Sequence, residues 1–158
     1  MEHDDAAKTL DELMEPGSTL MVGTGAVDLD FRPMTVARLR GNAIEMLLDT
    51  NERWAKSLRD GDLAYVTLSD NRANTWVSLR GAASVSTDPH LIDALWNPAA
   101  GAYFDDGRET PGIAVLRIAA DRGTYWSGPS GRIGSVISMV KAKLGDPEQS
   151  GEHGDVKL

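Results

Sequence analysis

The sequence lacks cysteine altogether and contains only three histidines. Without cysteine, the chain can form neither a disulfide, nor a thiolate metal site, nor a cysteine nucleophile. The histidines, His3, His90 and His153, are scattered along the chain. That scatter argues against a histidine-based metal site and against a Ser-His-Asp triad.

Long hydrophobic runs and an excess of basic residues are also missing. No apolar stretch approaches the roughly 18 residues of a membrane span, and the acidic N-terminus has no apolar segment of the signal-peptide type. We therefore expect a cytoplasmic protein that does not enter a membrane. Lys and Arg number 16 against 24 Asp and Glu, and the net charge is -8. This balance argues against nucleic-acid binding, which needs clustered positive charge, but it is compatible with one local phosphate site.

What the sequence does contain is the pattern of a mostly β, α+β domain. Its 158 residues, 41% of them hydrophobic, are enough for one core. We assign residues 1–145 to a single domain and 146–158 to a polar C-terminal tail. Hydrophobic runs between turn residues predict six strands, at 18–25, 31–39, 43–50, 62–70, 74–88 and 112–128. Because the strands do not alternate regularly with helices, the pattern favours a mostly antiparallel barrel.

Helical spacing predicts helices between these strands. The chain opens with an amphipathic helix that ends at Pro16, and a short helix over 50–61 follows the third strand. A helix over 88–104 begins with Asp88 as cap and Pro89 at the first position, and Pro98 breaks it. A further apolar helix is predicted over 131–145. The motifs G-x-G-x-x-G, P-loop and H-E-x-x-H are absent.

The first stretch with a possible chemical role is Arg32-Pro33-Met34-Thr35, at the start of a predicted strand. One interpretation is an edge strand in which Pro33 blocks unwanted pairing and Arg32 is solvated. The other is a site in which the guanidinium and strand backbone groups hold an anion or a cofactor edge. Composition does not separate the two interpretations.

The second stretch is "DTNERWAKSL", residues 49–58. Thr50 lies where a strand ends and a helix begins, and free backbone N–H groups at such a junction favour an anion. Lys56 follows about a turn and a half later, so a hydroxyl, a helix start and a lysine could hold one phosphate. The alternative is a capped surface helix with a solvated lysine.

The third stretch is "YWSGPSGR", residues 125–132. Trp126 ends a strand, and a Gly-Pro-Ser-Gly turn leads to Arg132. A tryptophan in this position is usually a core or dimer residue. It could also stack over a planar ligand, with Arg132 supplying a charge.

Taken in order, five motifs of this chain resemble those of the pyridoxamine 5'-phosphate oxidase-like flavoproteins, in particular the general stress protein 26-like group. The motifs are "RPM" at 32–34, "DTNERWAKSL" at 49–58, "VSLRGAASV" at 77–85, "LWNPAAGAYF" at 95–104 and "YWSGPSG" at 125–131. The resemblance covers nearly the whole chain. It implies a six-stranded antiparallel split β-barrel with flanking helices, forming a homodimer that binds FMN in two clefts at its interface.

The resemblance also implies roles for particular residues. Arg32 would reach the flavin phosphate or ribityl region, and Pro33 to Val36 would line the isoalloxazine with backbone groups. Asp49, Thr50 and Lys56 would complete the site around the phosphate. Trp126 and Arg132 would come from the other subunit, and Asn97 and Pro98 would lie at the cleft mouth. The predicted cofactor-binding residues are thus Arg32, Pro33, Met34, Thr35, Val36, Asp49, Thr50, Lys56, Trp126 and Arg132.

The chain departs from the family pattern in two places. No basic residue stands just before Lys56, where Ala55 lies, and the stretch directly after Arg132, residues 133–135, has no histidine, so oxidation of pyridoxamine phosphate is not expected. Four functions remain open from the sequence. They are an FMN-dependent oxidoreductase acting on an unknown small substrate, a flavin-binding protein without turnover, a user of FAD or F420, and a ligand-free dimeric interaction module.

Overall fold

The computed structural model describes residues 7–25, 27–128 and 152–158. Nine strands lie in these ranges and form one curled sheet. They are β1 Lys8–Thr9, β2 Thr19–Thr24, β3 Asp30–Thr35, β4 Arg38–Arg40, β5 Ala43–Asp49, β6 Leu63–Asp70, β7 Thr75–Ser86, β8 Ile113–Ser127 and β9 Glu152–Lys157. The α-helices are α1 Leu10–Leu13, α2 Arg53–Ser57 and α3 Pro89–Leu95, and two 3₁₀ helices span Pro98–Ala102 and Gly107–Glu109. None of the helices in the described ranges is long and apolar enough to cross a bilayer.

The sheet runs in the order β1-β9-β8-β7-β6-β2-β3, and β5 joins it along β8. All pairings are antiparallel except the short one between β1 and β9. β8 is the central strand, since β7 follows one of its edges throughout while β5 and then β9 share the other. β3 ends the sheet, so one of its edges is open.

The core has two parts, which meet at β5. One face of β5, with Ile44, Met46 and Leu48, lies in the barrel interior. The other face, with Leu47, packs against a second cluster that includes Leu95 of α3 and Phe104. Because both faces are covered, β5 reads as a nearly continuous apolar run rather than an alternating one.

Five of the six predicted strands are present as single strands, and the predicted cap of the helix that begins at Pro89 is present too. A β-bulge shifts the register between Arg80 and Gly81. Asp88 caps α3 by accepting a hydrogen bond from His90 N at 2.9 Å, with Pro89 in the first turn. The segment 112–128 is one long strand, not a pair.

One predicted strand is divided. The sequence favoured a continuous strand over 31–39 that forms a hairpin with 43–50. Instead β3 pairs with β2, and β4 alone pairs with β5. The break comes at Val36 and Ala37, whose N–H groups donate to Ser18 O and Glu45 O, because the chain passes there from one part of the sheet to another.

The chain ends also differ from expectation. The opening helix is shorter than predicted within the described residues, because Lys8–Thr9 pairs as a strand with β9 and only Leu10–Leu13 is helical. β9 lies in the segment assigned to a polar tail; its residues are polar for the most part, yet it pairs with β8. The helix predicted over 131–145 lies outside the described residues.

Candidate functional site

A cavity of about 730 Å³ opens beside β3, between the barrel and the segment 97–104. Its volume is in the range of roughly 300–1,000 Å³ typical of small-molecule sites. The residues that line it come from five parts of the chain: Gly17 and Thr19 beside and in β2, Arg32 to Ala37, Leu47 to Asp49, Glu52 and Trp54, and Asn97, Ala99, Ala100, Ala102, Tyr103 and Phe104.

β3 borders the cavity with its edge rather than with one of its faces. Six consecutive residues, 32–37, line the cavity. Side chains of a strand alternate between its two faces, so one face could contribute only every second residue. A continuous run therefore means that the backbone itself borders the space, which brings main-chain donors and acceptors within reach of a ligand.

The hydrogen-bond pattern identifies the backbone groups on that open edge. Val36 N donates to Ser18 O at 2.9 Å. In an antiparallel pair, backbone hydrogen bonds to the neighbouring strand form at every second residue. The backbones of Met34 and Arg32 therefore also bond to β2. The main-chain groups of Thr35 and Pro33 point to the open side instead. Proline lacks a backbone N–H, so Pro33 leaves no hydrogen-bond donor unpaired on the open side. The open side thus carries the Thr35 N–H as donor and the carbonyls of Pro33 and Thr35 as acceptors.

Arg32 stands at one end of this run and is tied into the protein. Its Nη1 donates to Thr24 Oγ1 at 2.9 Å and its Nη2 to Asp30 O at 3.0 Å. The guanidinium also lies 4.0 Å from the centre of the Trp54 ring, a cation–π contact. Burial lowers the pKa of Arg32, and the carboxylates of Asp30 and Glu52 oppose that shift. Arginine stays protonated under such shifts, so Arg32 brings a fixed positive charge to the cavity.

Two carboxylates line the same region. Glu52 Oε2 accepts from Trp54 Nε1 at 2.6 Å, and Asp49 Oδ1 accepts from Asn51 N at 2.8 Å. Each carboxylate is therefore oriented through one oxygen. Together with Arg32 they give the described lining one positive and two negative charges, so this part of the cavity is not strongly basic.

Thr50 and Lys56 lie beside the cavity and not in its lining. The Thr50 hydroxyl and the Thr50 N both donate to Gly112 O at 2.8 Å. Since a hydroxyl has one proton, that of Thr50 is already used in this arrangement. Lys56 is exposed on α2, and no ion pair joins it to a carboxylate in the described part of the chain, so its charge is available to an anion.

Trp126 lies on a different surface, which we call the outer face. The outer face is the side of the sheet turned away from the barrel interior. On this face Trp126 lies opposite Trp76. The ring centres of Trp126 and His153 are 5.1 Å apart. Strand register places further exposed apolar side chains on the same side, namely Met21, Phe31 and Leu63. Arg132 lies outside the described residues.

Six of the ten residues predicted from the sequence line the cavity: Arg32, Pro33, Met34, Thr35, Val36 and Asp49. Asn97, expected at the cleft mouth, also lines it. Sequence reasoning missed Trp54, Glu52 and Tyr103. The first two lie inside the stretch 49–58, and Tyr103 follows the "WNP" turn, but nothing in their spacing marks them as cavity residues.

Comparison with known proteins places the chain among relatives of this architecture. The family model described as "Pyridoxamine 5'-phosphate oxidase like" matches residues 5–149. The chain belongs to the pyridoxamine 5'-phosphate oxidase-like family. This membership and the match to split-barrel structures confirm the fold that the five motifs implied.

Three relatives of this family member illustrate the likeness. The structure of a protein described as general stress protein 26 from Jannaschia sp. CCS1 has a TM-score of 0.74 and 25% identity, with 94% of each chain covered. A general stress FMN/FAD-binding protein from Xanthomonas citri has a TM-score of 0.63 and 28% identity over 73% of this chain and 83% of that one. The protein bli-3 of Neurospora crassa is 25% identical over 72% of this chain, which spans 59% of the length of bli-3.

Proposed function

We propose that the chain is an FMN-binding flavoprotein that holds the isoalloxazine ring in the cavity beside β3. The observation that carries this proposal is the run of residues 32–37, which borders the cavity by its backbone edge. An isoalloxazine has donors and acceptors along one edge and a broad apolar plane. The open groups of Thr35 and Pro33 suit that edge, and Leu47, Leu48 and Phe104 give apolar surface for the plane.

The phosphate end of FMN needs positive charge and hydrogen-bond donors. Arg32 supplies a charge inside the cavity, and Lys56 supplies one just outside it, on the helix whose beginning borders the cavity. We assign the ribityl and phosphate region to these two cations. Thr50 could donate to the phosphate only by releasing Gly112 O, so we assign it the structural task of holding the β5–α2 junction.

The charge of the lining also bears on the choice of flavin. F420 carries an anionic tail in addition to its phosphate, and a cavity for it would profit from a basic lining. The described lining has two carboxylates beside a single cation, which supports FMN over F420. FAD remains a second flavin for the titration to test, since the relative from Xanthomonas citri is described as binding FMN or FAD.

When bound, a flavin supplies one- and two-electron transfer, and the protein supplies position and electrostatics. In this chain the residues near the cavity would bind and orient the ring, and the two carboxylates of the lining, Asp49 and Glu52, are each held by a hydrogen bond to a nearby residue of the chain. We therefore propose an oxidoreductase that acts on a small substrate whose identity is open.

We further propose that the chain forms a homodimer through the outer face. A cluster of exposed aromatic and aliphatic side chains on one side of a sheet is the kind of surface that a protein partner covers. Met21, Trp76 and Trp126 are each about two-fifths exposed on this face. Trp126 would then contact the partner, in agreement with the role that the family resemblance implies.

The test is a titration of the purified, flavin-free chain with FMN, followed by flavin absorbance and fluorescence. Saturation near one FMN per chain supports the proposal, and FAD and F420 are titrated in parallel. Reduction of the bound flavin by a hydride donor, with reoxidation by an acceptor, then separates an oxidoreductase from a protein that only stores flavin. A chain that binds none of the three flavins at high micromolar concentration refutes the proposal.

A further inference from the structure

The side chain of Tyr103 is much more exposed than those of its neighbours along the chain. Its side chain is 75% exposed, whereas Phe104 next to it is 7% exposed and Ala100 is 9% exposed. Tyr103 nevertheless lines the cavity. A large aromatic side chain thus stands at the mouth of the cavity, with most of its surface in solvent.

The backbone that carries Tyr103 is held on both sides. Asn97 Oδ1 accepts from Ala100 N at 3.1 Å at the start of the 3₁₀ helix, and Tyr103 N donates to Ala100 O at 2.9 Å. Directly after it, the Phe104 ring packs on Trp96 with centres 5.6 Å apart. These contacts fix the Cα of Tyr103 within the segment 96–104, and Phe104 of this segment is buried in one cluster with Val115 of β8.

The ring of Tyr103, by contrast, has no partner in the described part of the chain. Among the described residues, none forms a hydrogen bond with its hydroxyl and none forms an aromatic contact with its ring. A fixed backbone with a ring that can rotate about two side-chain torsions suits a residue that covers a ligand at modest entropic cost. The open edge of β3, where the proposed ring of the flavin would be anchored, lines the same cavity.

We propose that Tyr103 is the specificity-determining residue of this site, whose ring stacks on the solvent-facing part of a bound planar aromatic ligand. The inference rests on the proposed function, because it assumes a planar ligand in this cavity. It goes beyond that function by naming the residue that favours aromatic over aliphatic ligands and slows their escape. Stacking of two aromatic rings corresponds to roughly a 2- to 12-fold change in affinity, most of it in the dissociation rate.

The experiment compares wild type, Tyr103→Ala and Tyr103→Phe, each free of flavin, in titrations with FMN. Tyr103→Ala should weaken binding roughly 2- to 12-fold and speed dissociation, and Tyr103→Phe should restore both. Tyrosine in contact with a flavin quenches its fluorescence by electron transfer, which phenylalanine does poorly. Bound FMN should therefore be brighter in both variants, although only one of them loses affinity. A merely structural role would not produce this pattern.

Val27→Ala is the control, since Val27 is 93% exposed in the connection between β2 and β3 and is not among the residues that line the cavity. It should change neither affinity nor flavin fluorescence. Equal affinity and equal fluorescence of wild type and Tyr103→Ala would overturn the inference while leaving the proposed function in place. Weaker binding that accompanies loss of the dimer in sedimentation would overturn it too, because Tyr103 would then be a partner contact. If wild type binds no FMN, the proposed function and the inference both fall.

Discussion

The cavity and the outer face share strands β2 and β3 but offer different chemistry to a partner. At the cavity, β3 presents an open backbone edge with a donor and acceptors, together with one partly buried arginine. On the outer face, the backbone is paired strand to strand and only side chains are presented, many of them apolar. A backbone edge can recognise the hydrogen-bonding rim of a small planar molecule. A paired sheet with exposed aromatic side chains can recognise only a surface, and a second copy of the chain suits it.

The largest expected effect comes from introducing a charge on the outer face, which tests the proposed interface separately from the cavity. Trp76→Glu places a carboxylate opposite Trp126, and a charge there would be desolvated in the proposed dimer. We expect association to weaken by about 2–4 kcal/mol, the scale of a central aromatic contact. Sedimentation at micromolar concentration should show a dimer for wild type and a monomer for the variant.

The control for this experiment is Val27→Glu, since Val27 is 93% exposed and lies in the connection between β2 and β3. It should leave the dimer intact. A wild-type monomer, or a variant as dimeric as wild type, would remove the outer face as an interface. If Trp76→Glu also loses FMN, the cavity depends on the partner subunit and the contrast between the two regions becomes weaker.

The next effect belongs to the cavity. Arg32→Ala removes a partly buried cation that bonds to Thr24 and stacks on Trp54. We expect FMN affinity to fall by roughly 1–3 kcal/mol, the scale of a lost charged hydrogen-bond partner. The control is Arg108→Ala, away from the cavity lining and from the outer face, where the arginine pairs with Asp93, and this variant should bind FMN as wild type does. Similar losses in both variants would mean that general charge, not the cavity, holds the ligand.

Lys56→Ala tests whether the phosphate extends beyond the cavity. Because Lys56 is exposed, its contribution should lie near the low end of the same range, about 1 kcal/mol, and should shrink as salt is raised. The effect of Arg32→Ala should depend less on salt because Arg32 is mostly buried. An unchanged dissociation constant for Lys56→Ala at low salt would place the phosphate away from α2.

A smaller effect tests the backbone edge itself. Thr35→Pro removes the N–H that points to the open side, where it is not needed for pairing with β2. We expect FMN affinity to fall by about 0.5–1.5 kcal/mol, the net value of one hydrogen bond, with little change in the free energy of unfolding. Thr35→Ala keeps the N–H and removes the hydroxyl, so it should bind normally. If Thr35→Ala is as weak as Thr35→Pro, the side chain and not the backbone contacts the ligand.

Local pattern predicted the strands, whereas the predicted cavity residues came from the five motifs that resemble the family. Alternation and turn residues give the strands, and Pro33 fits its place because an open edge needs no N–H. Two kinds of information were not local. The pairing of Lys8–Thr9 with β9 joins residues nearly 150 positions apart, and neither segment is apolar enough to reveal it. The presence of Tyr103 and β3 in one cavity depends on how the segment 97–104 packs against β5, which spacing along the chain does not specify.

The smallest expected effect concerns Glu12, which lies outside both regions. A variant of this residue measures how far a small change in stability alone affects ligand binding and association. Glu12 Oε2 accepts from Thr9 N at 2.7 Å and from Thr9 Oγ1 at 3.2 Å, and these hydrogen bonds lower the pKa of Glu12 below its ordinary value of 4.5. A carboxylate with a lowered pKa stabilises the fold above its ordinary pKa, and this contribution is lost as the pH falls through the lowered value.

Glu12→Gln should therefore lower the free energy of unfolding slightly near neutral pH, and the difference from wild type should vanish in acid below the lowered pKa. Denaturant titrations at both pH values measure it, with Glu15→Gln as the neighbouring surface control. Neither FMN affinity nor dimerisation should change, because α1 touches neither the cavity nor the outer face. A change in FMN affinity or in dimerisation would show that a loss of overall stability alone weakens ligand binding or association. The effects of Trp76→Glu and Arg32→Ala would then have to be corrected for this loss of stability.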